Sequence, residues 1–285
     1  MGYVGRFAPS PTGPLHAGSI VAALASWLDA RAHGGRWLLR IDDLDAQRCD
    51  PAHTRTILAQ LDALHLRPDG EVSDQQRRTA AYAAAFAQLE AAGHTFGCAC
   101  SRKMLADSGA RVGASGELVY PGTCRSDTGG REPRAWRARV GQAVVAFTDR
   151  AAGEQREHLA ETCGDFVLKR ADGPYSYHLA CVVDDAAVGV TDVVRGADLL
   201  AVTPRQIWLA QQLGLPVPRY LHVPVVLAAD GQKLSKQTGA AAVDTRDATA
   251  VLREATRHLA LGELQGPTAN ELLSQAIAAW ASRWP

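Results

Sequence analysis

Residues 6–19 read Arg6-Phe7-Ala8-Pro9-Ser10-Pro11-Thr12-Gly13-Pro14-Leu15-His16-Ala17-Gly18-Ser19. A short apolar approach runs into a loop dense in proline and glycine, and His-Ala-Gly-Ser then opens an amphipathic run. Proline fixes φ and removes an N–H donor, so this backbone is neither helix nor free coil. Beyond it, Ile20, Leu24, Trp27 and Leu28 recur at helical spacing. The segment therefore reads as strand, rigid loop and helix N-terminus. The first N–H groups of such a helix have no intrahelical acceptor and form an anion site. A phosphate-bearing ligand is the first expectation.

The chain has 285 residues, of which 47% are hydrophobic and 21% charged, enough for a sizeable core and against global disorder. A net charge of zero argues against a strong nonspecific nucleic-acid binder but allows a local basic face. One such stretch lies between residues 102 and 139. Its eight basic residues (102, 103, 111, 125, 131, 134, 137, 139) against four acidic ones (107, 117, 127, 132) leave +4. It reads as either a solvated surface or a phosphate-facing one. No apolar run reaches membrane-spanning length and the N-terminus has no signal-peptide core, so no membrane partner is expected. Six cysteines without a repeating frame suggest a reducing compartment, the cytoplasm.

Trp37 to Ile41 is a short apolar run ending in Asp42-Asp43-Leu44-Asp45, a buried strand with acids at the carboxyl end where ligands sit in α/β sheets. Asp50-Pro51 is an N-cap and first-turn pair for a helix through Ile57, Leu61 and Leu64. Another helix, about 75–92, ends at Gly93. This strand–helix alternation implies a parallel sheet wrapped by helices. Cys98 and Cys100 are two apart, and Cys124 returns after a Pro-Gly turn. Three thiolates at this spacing form most of a tetrahedral zinc site or, alternatively, three small buried residues. His94 and Tyr120 are the nearby candidates for a fourth ligand. Cys49, Cys163 and Cys181 read as isolated packing residues.

Runs 136–140 and 144–147 alternate like strands of an inserted region. An apolar helix follows Tyr177 and ends in Asp184-Asp185, and a β-rich run over 188–194 delivers Arg195-Gly196 to its carboxyl end. Arginine there suits bidentate recognition of a carboxylate or phosphate, or an ion pair with Asp192 or Asp198. Thr203-Pro204 opens another helix, 223–227 is strand-like, and helices are expected over 248–261 and 270–284. Between them, Lys233-Leu234-Ser235-Lys236-Gln237 is a cationic loop of the kind that closes on a triphosphate.

Together these motifs resemble the class I aminoacyl-tRNA synthetases of the glutamyl type. Arg6 to Gly13 is similar to that subclass's opening, His16-Ala17-Gly18-Ser19 to the HIGH signature, Lys233 to Gln237 to KMSKS, and Val194 to Asp198 to a further family block. Fewer than fifty residues follow Gln237, too few for an anticodon-binding domain. With Cys98, Cys100, Tyr120 and Cys124, this pattern resembles the glutamyl-Q tRNA(Asp) synthetase family.

The resemblance implies an α/β fold: a Rossmann-like doubly wound parallel sheet with an inserted zinc-binding region and a short helical C-terminal region. Residues 1–95 would form the first half of the nucleotide-binding core, 96–164 the insert, 165–240 the second half with the KMSKS-like loop, and 241–285 the helical end. It implies activation of L-glutamate by ATP without tRNA, then transfer to the queuosine base of tRNA(Asp), by a monomer. A minimal glutamyl-tRNA synthetase and an inactive RNA-binding paralogue are the competing readings. In this family pattern Arg6, Phe7, Ala8, Pro9 and Ser10 seat glutamate and Asp42 faces its ammonium. Tyr177 and Arg195 read its side-chain carboxylate, and an amide cannot satisfy a buried guanidinium. His16, Gly18 and Ser19 hold ATP, which brings Mg²⁺, while Lys236 and Lys233 stabilise the reacting α-phosphate. One structural Zn²⁺ is implied, with Tyr120 as its fourth ligand. Ser19 replaces the second histidine of HIGH, Gln237 ends the lysine motif, and Asp42 stands where the family usually has glutamate.

Overall fold

The Pro/Gly-rich loop leaves the carboxyl end of a strand, β1 (Val4–Phe7), and enters helix α1 (Ala17–Ala32). In this computed structural model, which describes residues 2–113, 116–227 and 241–285, α1 crosses back so that β2 (Arg36–Ile41) pairs with β1 in parallel, Arg6 opposite Leu38. Ile20, Leu24 and Leu28 of α1 are fully buried, as their spacing predicts. The two-residue β3 (Ser73–Asp74) extends this sheet beyond β2, after helix α2 (Pro51–Ala63). The Asp50 carboxylate caps α2 by accepting from the Ala52 N–H at 2.7 Å, with Pro51 in its first turn.

Helix α3 (Thr79–Ala91) ends at Gly93, whose φ of 73° is a conformation that favours glycine. A small antiparallel sheet follows, in the order β4 (Thr95–Cys98), β5 (Ala135–Ala138) and β8 (Val167–Lys169). It carries the short α4 (Arg102–Ala106) between its first two strands. Strand β6 (Val144–Asp149) does not belong with it. It makes a hairpin with β7 (Gly153–His158) and pairs in parallel with β10 (Arg219–Val223), which pairs in parallel with β9 (Asp192–Gly196). The hairpin therefore widens the second half of the core, although it lies within the segment expected to be an insert.

Between these strands run α5 (Leu159–Thr162), α6 (Tyr177–Ala187) and α7 (Thr203–Gln212). Strand β9 starts later than the β-rich composition suggests, because Gly189 turns the chain at φ 70° after α6. Strand β10 lies upstream of 223–227, since Pro224 has no N–H to continue the ladder.

The two parallel units meet where the Thr191 N–H, just before β9, donates to the Val4 carbonyl at 2.9 Å. Strand order across the joined units is thus β3-β2-β1-β9-β10-β6-β7. The chain winds outward from β1 in one half and from β9 in the other. The reversal opens a crevice over the carboxyl ends of these two strands. Helices α8 (Ala248–His258) and α9 (Ala269–Arg283) pack against α1, and Leu252, Leu272, Ala276 and Trp280 join the α1 core.

Candidate active site and cysteine cluster

A cavity of about 290 Å³ occupies that crevice. Arg6 to Ser10 line it from the end of β1; His16, Gly18 and Ser19 line it from the start of α1; Tyr177 and Arg195 line it from the second half. Arg6 and Arg195, 189 positions apart in sequence, thereby share one site because the strand order reverses there. The N-terminus of α1 has no acidic residue in its first turn and His16 makes no side-chain cap, so no carboxylate of that turn competes for its N–H groups; Asp198 is the acid among the cavity's lining residues. Lys233 and Lys236 lie outside the described residues.

Arg195 is buried at the end of β9. Its Nε donates to His222 Nε2 at 3.1 Å and its Nη2 to the Thr203 hydroxyl at 2.7 Å. Neither Asp192 nor Asp198 holds it: Asp192 accepts from Arg219 instead. Arg195 Nη1 is buried and has no hydrogen-bond partner among the described residues. A buried cationic donor at the wall of a cavity is satisfied by an anionic ligand.

Asp42 does not line this cavity. It is buried, and Arg40 Nε donates to its Oδ1 at 2.6 Å. Arg40 Nη1 also donates to Asp185 at 2.5 Å, and Asp185 accepts from Arg6 Nε at 3.2 Å. Burial pushes the Asp185 carboxyl upward, but the Arg6 and Arg40 charges hold it below its ordinary value. Burial outweighs Arg40 at Asp42 and raises its pKa. Cys181, expected to be a packing residue, accepts from Arg40 Nη2 at 3.1 Å. Arg40 and Asp185 were not singled out by sequence reading; the only hint was the acidic pair at the end of an apolar helix.

Cys98, Cys100 and Cys124 present their sulfurs within 4.8 Å of one another. Cys100 and Cys124 Sγ are 3.5 Å apart, and the Tyr120 hydroxyl lies 3.4 Å from Cys98 Sγ and 3.9 Å from Cys100 Sγ. A tetrahedral thiolate site with Zn–S near 2.3 Å has an edge of about 3.8 Å. The donor set and its spacing therefore fit a tetrahedral metal ion. His94, the other candidate ligand, instead rests edge-on against Trp208. The Arg137 guanidinium sits 3.9 Å from the Tyr120 ring centroid, and the Cys124 N–H donates to the Tyr120 oxygen at 2.8 Å. Both contacts place positive charge near the phenol.

The fold and crevice are those of a class I tRNA synthetase catalytic domain: the model for tRNA synthetases class I (E and Q), catalytic domain, matches residues 3–275. A solved glutamate tRNA ligase of Elizabethkingia meningosepticum, in complex with its amino acid, superposes with a TM-score of 0.76 at 25% identity. The superposition covers 97% of this chain and 64% of that one. Glutamate-tRNA synthetase of Elizabethkingia anophelis gives 0.71 at 27% identity, over 84% of this chain and 53% of that one. Glutamyl-Q tRNA(Asp) synthetase of Ralstonia nicotianae is 55% identical over 289 residues, 99% of this chain and 91% of the relative. That of Bordetella bronchiseptica is 53% identical over 286 residues, 99% and 90% of the two chains. The chain belongs to the glutamyl-Q tRNA(Asp) synthetase family, ligases built on the class I synthetase fold.

Proposed function

We propose that this enzyme activates L-glutamate with ATP, without tRNA, to glutamyl-adenylate and transfers the glutamyl group to the queuosine base in the anticodon of tRNA(Asp). The observation that carries the reading is Arg195, a buried guanidinium of the crevice wall whose Nη1 has no partner among the described residues. The relatives named for this reaction support the choice of acceptor.

In this reading Arg195 and Tyr177 take the side-chain carboxylate, and Arg6 with the Phe7-Ala8-Pro9-Ser10 loop seats the rest of glutamate. His16, Gly18, Ser19 and the α1 N-terminus hold the phosphates of ATP, accompanied by Mg²⁺. Lys236, with Lys233, stabilises charge on the α-phosphate as the glutamate carboxylate attacks it and pyrophosphate leaves. This is in-line transfer, in which positioning and charge stabilisation supply the rate. Asp42 does not meet the ammonium directly in this reading: Arg40 engages its carboxylate, and Asp42 steadies the Arg6–Asp185–Arg40 network behind the glutamate site. Cys98, Cys100, Tyr120 and Cys124 hold one structural Zn²⁺, which would brace the small β4-β5-β8 sheet. Residues 1–95 and 165–240 are the two halves of the core, 96–164 the zinc-bearing segment and 241–285 its helical end, in a monomer.

Glutamate-dependent pyrophosphate–ATP exchange without tRNA tests the first half-reaction. Label transfer from glutamate to tRNA(Asp) with and without queuosine tests the second. Charging of tRNA(Glu) would favour a minimal glutamyl-tRNA synthetase, and no exchange at all an inactive RNA-binding paralogue. Lys236→Ala should cut exchange by about 100-fold or more.

A further inference from the structure

His222 lies on β10, directly across the parallel ladder from Arg195 of β9. Its Nε2 accepts from Arg195 Nε at 3.1 Å, and its Nδ1 lies 2.7 Å from Asp149 Oδ2. An arginine Nε–H only donates, so Nε2 must carry the lone pair and Nδ1 the proton. Nδ1–H then donates to Asp149. The Asp149 carboxylate is itself fixed, because its Oδ1 accepts from the Ala151 and Ala152 N–H groups at 3.0 and 2.8 Å. Thr203 holds the other side of the guanidinium and passes its own hydroxyl proton to the Leu199 carbonyl at 2.9 Å. These contacts satisfy Nε and Nη2 of Arg195 and leave Nη1 without a partner among the described residues.

We infer that the Asp149–His222 pair is the positioning device for Arg195, setting the guanidinium in the orientation that reads the side-chain carboxylate of the amino acid. The inference rests on the proposed role of Arg195. His222 faces Asp149 from β6, Arg195 from β9 and Thr203 from the start of α7, with Tyr220 of its own strand stacked on the ring 6.0 Å away. The Arg6 charge also acts on it. Burial lowers the His222 pKa below its ordinary value despite the pull of Asp149, and Arg195 adds to the lowering. The ring is therefore neutral at neutral pH. A second proton would place an N–H at Nε2 against the Arg195 N–H and break the contact. Glutamate affinity should fall in acid as a result, while ATP affinity, which does not depend on Arg195, should follow a different profile.

The test measures KM for glutamate and for ATP by pyrophosphate exchange from about pH 8 down to about pH 4, reaching below the ordinary histidine pKa because burial lowers that of His222. Wild type, His222→Leu, His222→Gln and Arg195→Ala are compared. His222→Leu should raise the glutamate KM by about 10–100-fold, the loss of one buried charge-assisted hydrogen bond, with little change in the ATP KM. His222→Gln places a carbonyl oxygen near the Nε2 position, so it should recover most glutamate affinity. It cannot titrate, so it should lack the acid limb seen in wild type. Ionisation of glutamate is common to both proteins and cancels in the comparison. An unchanged glutamate KM in His222→Leu, an equal rise in both KM values, or an intact acid limb in His222→Gln would overturn the inference. If His222→Leu does not fold, the comparison of wild type with His222→Gln still decides it. Arg195→Ala separates the two levels: an unchanged glutamate KM there overturns the reading of Arg195 itself. A raised KM there beside an unaffected His222→Leu overturns only the positioning role.

Discussion

Asp185 sits between two guanidiniums that the fold has taken out of water. Arg6 and Arg40 both donate to it, and Arg40 in turn donates to Asp42. Removing one member of a buried ion network leaves the others charged and unpaired, which costs about 3–5 kcal/mol. Asp185→Ala is therefore expected to lower the unfolding free energy by about that amount, read as a lower denaturant midpoint. Its loss should also loosen Arg6, so the glutamate KM should rise in the surviving folded fraction. His178 gives the clearest dependence on pH. Burial, with the nearby Arg205 and Arg195 charges, pushes its pKa down to about 3, so the folded protein keeps it neutral. The unfolded chain takes the proton near pH 6.5. Between these values the unfolded state binds more protons, so stability is complete above about pH 6.5 and falls as pH drops towards 3. His178→Gln should flatten that slope in melts recorded between about pH 5 and 7. Sequence reading could not find His222, because its partner Asp149 is 73 positions away and neither belongs to a motif. Arg195 was legible because it stands at a strand's carboxyl end beside glycine.

At the scale of elements, what was legible is what is written locally. Asp50-Pro51 and Gly93 mark helix ends through cap chemistry that acts over one turn, and Pro204 marks the start of α7 because a first-turn N–H has no intrahelical acceptor to lose. Short strands carry no such mark. Strand β6 alternates like the strand beside it in sequence, yet it joins β10 rather than β5, and only long-range pairing decides that. The C-terminal helix α9 offers a direct check on the local chemistry. Its N-cap Thr268 and Glu271 form a reciprocal capping box: the Glu271 N–H donates to Thr268 Oγ1 at 3.4 Å, and the Thr268 N–H donates to Glu271 at 3.2 Å. Thr268→Ala should cost about 1 kcal/mol of stability, measured by chemical denaturation, with exchange kinetics unchanged because the residues lining the cavity include none from α9.

Among the described residues the apolar core falls into three clusters. One joins α1 to the C-terminal helices; a second lies in the other half; a third and much smaller one is Phe96, Cys98, Ala99, Tyr120 and Cys124. The first is tied together by Asp29, buried in α1, which accepts from Tyr3, Arg150 and Trp280 and so links the first strand, the β6–β7 turn and the last helix. The third cluster is held at its edge by Arg137 over the Tyr120 ring and Arg139 over Phe96. Five buried residues, two of them cysteines, with half-buried Cys100 packed against them, bury little apolar area, and a metal bound to the three thiolates would supply folding energy directly. Chelation should therefore act locally. Metal analysis of the purified protein should find about one zinc per chain, the number one tetrahedral site holds. A strong chelator should open the segment around residues 98–134 to proteolysis while the two larger clusters stay protected, so cleavage should yield two core-sized fragments rather than complete digestion. Tyr120→Phe keeps the ring under Arg137 but removes the oxygen between the sulfurs. It should lose zinc to a weak chelator sooner than wild type without a change in fold. Protein purified free of metal, with this segment still resistant to protease, would remove the metal from the account of the third cluster.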